Sequence, residues 1–157
     1  MILDTSVLIG GERGAIRLEA LLLAFGDEPV RIAAITASEL LHGCHRATDP
    51  AVRARRLAFV DAILGTIPVI PFGLADARRH AELWAHLAGA GTMIGAHDLL
   101  IGATALAHGH RLATLNRREF SQVPGLGLVE VDKFRGGAFD GPPDLSTNPK
   151  YLAGYGK

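Results

Sequence analysis

The stretch Asp98-Leu99-Leu100-Ile101-Gly102-Ala103-Thr104-Ala105-Leu106-Ala107-His108-Gly109-His110-Arg111-Leu112-Ala113-Thr114-Leu115-Asn116 decides the fold. Asp98 to His108 predicts a small apolar helix, and Gly109 closes it, because glycine takes the left-handed conformation that ends helices without a steric penalty. Arg111 to Leu115 then predicts a short strand that stops at the polar Asn116. A helix leading directly into an apolar strand, with polar residues at both outer ends, is the repeating unit of a parallel α/β sheet.

The same alternation extends outward in both directions. Met1 to Asp4 predicts a buried strand followed by a turn and a brief helix through Val7-Leu8-Ile9. Ile16, Leu18, Leu21, Leu22 and Phe25 recur at helical spacing until Gly26. Val30 to Ile35 predicts a second strand, and Thr36-x-x-Glu39 opens a helix through Leu40, Leu41 and Cys44. Asp49 and Pro50 suit the cap and first position of another helix, whose apolar face is Val52, Leu57, Val60, Ile63 and Leu64. Thr66 to Ile70 predicts a third strand between Gly65 and Pro71, before a long helix through Ala75, Leu83, Trp84 and Leu87 that ends at Gly89 and Gly91. Val129 and Val131 predict a last edge strand. The expected fold class is therefore α/β: a central parallel sheet joined by right-handed crossovers, with helices on both faces in three layers.

The chain of 157 residues suits one domain. Apolar residues make up 48% and charged residues 20%, which is enough to build a core. Lys and Arg number 16 and so do Asp and Glu, so any nucleic-acid partner must be met by a local patch rather than by net charge. Cys44 is the only cysteine, which excludes an internal disulfide. No secretory leader or membrane-length apolar run is read, and the expectation is a cytoplasmic protein without membrane contact. After Asp132 the composition turns to Gly136, Gly137, Gly141, Pro142, Pro143, Pro149, Gly154 and Gly156. The expected boundary is a domain of residues 1–132 and a tail of 133–157, in which Phe134, Phe139, Tyr151 and Tyr155 are candidate anchors.

Three carboxylates sit where folding has little use for them: Asp4 after the first strand, Glu39 early in the helix after the second, and Asp98 at the start of the helix quoted above. Ligands bind beyond the carboxyl ends of parallel strands, so the fold should gather these acids there with Asn116. Hard divalent cations prefer carboxylate oxygens and keep several waters, so a few acids plus a substrate phosphate suffice to hold one. Asp4 and Asp98 are the candidates for direct contact, and Glu39 has the reach to act through a water. Thr5, Ser6 and Thr114 offer hydroxyls that can fix the carboxylates. Structural readings compete: Glu39 can close a capping box with Thr36, Asp98 can cap its helix, and Asn116 can be a turn residue.

The segments Leu3-Asp4-Thr5-Ser6, Ser38-Glu39-Leu40-Leu41-His42-Gly43, Asp98-Leu99-Leu100-Ile101-Gly102-Ala103-Thr104-Ala105 and Ala113-Thr114-Leu115-Asn116-Arg117-Arg118-Glu119-Phe120 occur in the order and spacing of a known family. The chain resembles the PIN-domain ribonucleases, and among them the VapC-type toxins of toxin–antitoxin pairs, from Met1 to about Val131. The resemblance implies a three-layer PIN-like α/β domain with catalytic residues Asp4, Glu39, Asp98 and Asn116. It implies magnesium, or manganese, held by Asp4, Glu39 and Asp98, an RNA substrate, a cognate VapB-type antitoxin and a homodimer. Many family members carry Asp where this chain has Asn116, and Glu119 is the candidate substitute ligand. A PIN-like binding protein with little catalysis is the competing function. A phosphatase of the haloacid-dehalogenase kind would need an acid where Ser6 stands.

Outside those segments, His42 with His45 and His108 with His110 lack the third ligand of a zinc site, and Cys44 reads as a core residue. Trp84 reads as a packing or dimer-interface aromatic. Arg117 and Arg118, beside Asn116, are the candidate RNA contacts, while Arg53, Arg55 and Arg56 read as a solvated helix face.

Overall fold

The computed structural model describes residues 1–136. Its elements are β1 (Ile2–Leu3), α1 (Thr5–Glu12), α2 (Leu18–Ala24), β2 (Ile32–Ala33), α3 (Ala34–Arg46), α4 (Pro50–Thr66), β3 (Val69–Ile70), α5 (Leu74–Ala90), α6 (Ala96–Ala107), β4 (Leu112–Ala113), α7 (Arg117–Phe120) and β5 (Leu128–Val129). These strands pair in parallel, β1 with β4, β4 with β5, and β2 with β3. A parallel bridge between Ile2 and Arg31 joins the two groups, with Leu3 N–H donating to the Arg31 carbonyl at 2.9 Å. The strand order is thus β3-β2-β1-β4-β5. The chain winds outward from β1 on one side and then returns to the other, leaving a topological switch point between β1 and β4.

Alternation along the short strands builds two cores. Leu3, Ile32 and Ala113 face one layer, where they pack with Leu8, Leu40, Phe59 and Ile63. Ile2, Ala33 and Leu112 face the other, against Leu83, Leu87, Leu99, Ile101 and Phe120. Helices cover both faces, as the pattern requires.

The element boundaries move in instructive ways. The third expected strand begins at Val69 rather than Thr66, because α4 continues through Gly65 and stops only before Pro68, which has no N–H to extend it. Asp49 does cap α4, accepting from Ala51 N–H at 2.8 Å with Pro50 at the first helical position. The second strand ends at Ala33, and α3 begins immediately at Ala34. That shift places Thr36 inside the first turn, with a buried hydroxyl that has no partner, so no Thr36–Glu39 capping box forms.

At α5 the structure uses a carboxylate that sequence periodicity passes over. Asp76 is buried, and its Oδ2 accepts from Gly73 N–H at 2.9 Å, the reciprocal half of a helix start. Its Oδ1 lies 3.1 Å from His108 Nε2 at the end of α6, which ties two packed helices together. Asp76→Ala removes both bonds from a buried position and should cost about 1–3 kcal/mol, read as a lower midpoint in urea unfolding.

Packed structure also runs past the expected boundary at Asp132. Asp132–Phe134 forms a 3-10 turn, and the Phe134 ring is buried against Phe25 with centroids 6.3 Å apart. Arg17 N–H donates to the Phe134 carbonyl at 2.8 Å, and Gly136 N–H to that of Ala15 at 2.9 Å. An aromatic side chain and two backbone bonds outweigh the glycine content here. A chain ending at Asp132 should therefore be about 3–5 kcal/mol less stable than one ending at Gly136, the usual cost of deleting a buried phenylalanine. Thermal denaturation of the two truncations checks this. Phe139, Tyr151 and Tyr155 lie outside the described residues.

Candidate active site

Asp4 follows β1 directly, occupies the cap position of α1 with extended backbone, and yet makes no cap bond. Its side chain, 3% exposed, turns instead toward β4. Oδ2 accepts from Ser6 Oγ at 2.6 Å and from Thr114 Oγ1 at 2.7 Å. The same two hydroxyls accept from the backbone of the neighbouring strand end, Ser6 from Leu115 N–H at 3.0 Å and Thr114 from Asn116 N–H at 2.9 Å. The carboxyl ends of β1 and β4 are thereby knitted together across the switch point. Asp4 Oδ1 has no protein partner among the described residues.

Asp98 stands in the first turn of α6 and makes no cap bond. Its Oδ2 accepts from Asn116 Nδ2 at 2.9 Å. Asn116 therefore orients a carboxylate, and is more than the turn residue its position allows. Burial pushes the Asp98 carboxyl up to about 6, aided by the negative charges of Asp4, Glu39 and Glu119 and opposed by the Asn116 bond. Those causes put Asp4, Glu39 and Glu119 within electrostatic reach of Asp98. Among the described residues no arginine or lysine forms an ion pair with Asp4, Asp98 or Glu119.

Glu39 reaches the centre from α3. One oxygen accepts from the Thr5 hydroxyl, and the other lies 2.9 Å from His97 Nδ1. The immediate start of α3 after β2 puts Glu39 in the second turn, facing α1 and α6. His97 is the site residue that sequence reasoning missed. Its signal was available, since it immediately precedes Asp98 in the same first helical turn.

The donor set fits a hard cation. Among the described residues Asp4 Oδ1 and Asp98 Oδ1 have no hydrogen-bond partner, while the bonds to Ser6, Thr114 and Asn116 fix the opposite oxygen of each carboxylate. Among the described residues no three His, Cys, Asp or Glu side chains converge into a finished cage. Such a cage suits calcium or zinc more than magnesium, which keeps waters and takes substrate oxygens.

The arginines separate by environment. Arg117 Nη1 donates to the Val129 carbonyl at 3.2 Å and lies 3.6 Å from Glu130, so it pins α7 to β5. Arg118 is exposed beside it and has no such tie among the described residues. Arg53 donates to the carbonyls of Ala47 and His45, and Arg56 to that of Gly43, so both close the end of α3 instead of forming a purely solvated face. His42 and His45 are exposed, Cys44 is buried, and its thiol is raised by that burial. Trp84 is exposed; His80, one turn earlier on the same helix, stands edge-on to it at 5.8 Å, and Phe72, just before α5, stands edge-on to His80 at 6.1 Å.

Fold and site together define a class, a parallel α/β domain with an acidic centre at its switch point whose oxygen donors fit a divalent cation. A PIN domain model matches residues 1–126, and the chain belongs to the PIN-domain family. It is similar to Ribonuclease VapC1 of Rickettsia felis, 34% identical over 131 residues that cover 83% of this chain and 96% of the relative. Ribonuclease VapC of Rickettsia bellii matches at the same identity and coverage. Among solved structures, the DNA-bound VapBC of Salmonella typhimurium superposes with a TM-score of 0.74 at 26% identity, over 82% of this chain and 95% of that one.

Proposed function

We propose that the protein is a metal-dependent endoribonuclease, the toxin of a VapBC-type toxin–antitoxin pair, acting in the cytoplasm where its RNA substrate is. The observation that carries the chemistry is the pair of free oxygens on Asp4 and Asp98, each on a carboxylate held by its neighbours through the opposite oxygen. Relatives named as ribonucleases, and a solved neighbour from Mycobacterium tuberculosis named as a member of the VapBC family of toxin-antitoxin systems, support the substrate and the partner.

Asp4 and Asp98 would hold magnesium, or manganese, directly, and Glu39 would contribute through a water. The bound cation supplies charge neutralisation at phosphorus and lowers the pKa of an attacking water. Ser6 and Thr114 keep the Asp4 carboxylate fixed, and Asn116 does the same for Asp98, so little reorganisation remains when the phosphate arrives. Glu119 adds negative charge on the side where Asn116 is neutral and is the available ligand for a second ion. Arg118, exposed and without a side-chain partner among the described residues, can meet a flanking phosphate. Water attack predicts fragments with 5′-phosphate and 3′-hydroxyl ends.

A homodimer also follows from this reading. Phe72, 43% exposed before α5, and Trp84, 56% exposed within it, are linked edge-on through His80, an aromatic surface that a second copy would cover. The deciding experiment is incubation of the purified chain, freed of antitoxin, with RNA and magnesium. Cleavage that chelation stops and magnesium restores, with the expected ends, supports the reading; RNA left intact at every metal tested rejects it.

A further inference from the structure

One charged cleft remains unused by the site chemistry. It occupies about 370 Å³ between α1, α3 and α4, large enough for a nucleotide-sized group. Glu39 lines it, while Asp4 and Asp98 do not, so the cleft adjoins the acidic centre through a single residue. Ile9, Leu40 and Val60 give it an apolar lining.

Its charges are uneven. Glu12 lies 3.6 Å from Arg56, whose guanidinium also donates to the Gly43 carbonyl at 3.2 Å, so these two offset each other. Arg13 and Arg46 also line the cleft, and both are exposed with no hydrogen bond or carboxylate partner for the guanidinium among the described residues. An unpaired arginine in a concave site is a ready phosphate contact. Along α3, Glu39, His42, Gly43 and Arg46 follow the spacing of one helical face, and Arg46 stands about 10 Å along the axis from Glu39. A strand entering the acidic centre would reach Arg46 within roughly a nucleotide or two.

We propose that this cleft seats the RNA strand on one side of the scissile phosphate, with Arg13 and Arg46 on flanking phosphates and Ile9, Leu40 and Val60 behind a sugar or base. The proposal rests on the ribonuclease reading and adds to it the path of the substrate. Gly43 supplies a steric test. A Cβ built there meets nothing within 4 Å, so a larger side chain enters the cleft and not the core. Leucine also favours a helix interior more than glycine does, so the fold should be kept.

The experiment measures anisotropy of a labelled, mixed-sequence single strand of about twelve nucleotides. The Asp98→Asn background keeps the RNA intact. Gly43→Leu and the double variant Arg13→Ala/Arg46→Ala should each bind roughly tenfold more weakly. Each arginine removed should lower the slope of log affinity against log salt by about 0.7. Arg55→Ala, an exposed residue outside the cleft, should change neither. Unchanged affinity and slope in the cleft variants, with RNA still bound by the parent, overturn the proposal alone, including where Gly43→Leu instead releases a bound antitoxin. A parent that fails to bind RNA, in a chain whose unmodified form does not cleave it, removes the ribonuclease reading and the proposal together.

Discussion

Asp98→Asn should lower RNA cleavage at least a hundredfold without unfolding the chain, and Asp4→Asn should do the same. Changes to residues that only orient a metal ligand typically cost 10–100-fold, and removing a ligand's charge should exceed that. The two variants diverge in the metal-free protein. The folded-state Asp98 carboxyl, at about 6, lies above its ordinary value of 3.8, so the folded chain takes up this proton before the unfolded chain does. This group therefore makes the metal-free protein less stable as pH rises through 6, and acidification from pH 7 toward 4 recovers that loss. Asp98→Asn removes the titration and should flatten this part of the stability profile. Because Asp98 is only partly buried, the gain at neutral pH is modest. A cation needs the charged form, so magnesium affinity of the unmodified protein should fall below pH 6 and binding at that pH should release protons. Calorimetry in two buffers of different ionisation heat reads the release. Full cleavage by either variant at low magnesium would remove both acids from their assigned positions.

The legible part of the molecule is the part written in periodicity and punctuation. Asp98 to Asn116 was readable as helix, stop and strand because Gly109 takes φ of 67° there and because Leu112 and Ala113 are buried on opposite faces of the sheet. Asp49-Pro50 was readable because a cap and a proline leave few alternatives. The site acids were readable from their isolation in apolar surroundings and, jointly, from their order along the chain. Pairings between distant residues were not. Nothing local in His108 indicates Asp76, and nothing in His97 says that it meets Glu39 from another helix. The Arg53, Arg55 and Arg56 run looks uniform in sequence, yet Arg53 and Arg56 serve the carbonyls at the end of α3. Phe134 was obscured by the glycines after it, since composition averages over a segment and burial is decided one side chain at a time.

Glu39→Gln separates charge from shape. Glutamine keeps the length of the side chain and an oxygen that can accept from Thr5, so the contact between α1 and α3 survives the change. It loses the negative charge next to Asp98. A cap or packing role predicts little effect on turnover, but the structure already removes the cap, because α3 starts at Ala34 and Thr36 is buried without a partner. The expected result is a fall in turnover of roughly 10–100-fold, as for a group acting on the metal through a water, with the melting temperature unchanged. The Asp98 carboxyl should move back toward its ordinary value in the same variant, since the Glu39 charge is one of the causes holding it up. That second readout distinguishes the two roles even where activity is low. A drop in turnover without any movement of Asp98 would mean that Glu39 acts through Thr5 and His97 alone, as a brace between helices.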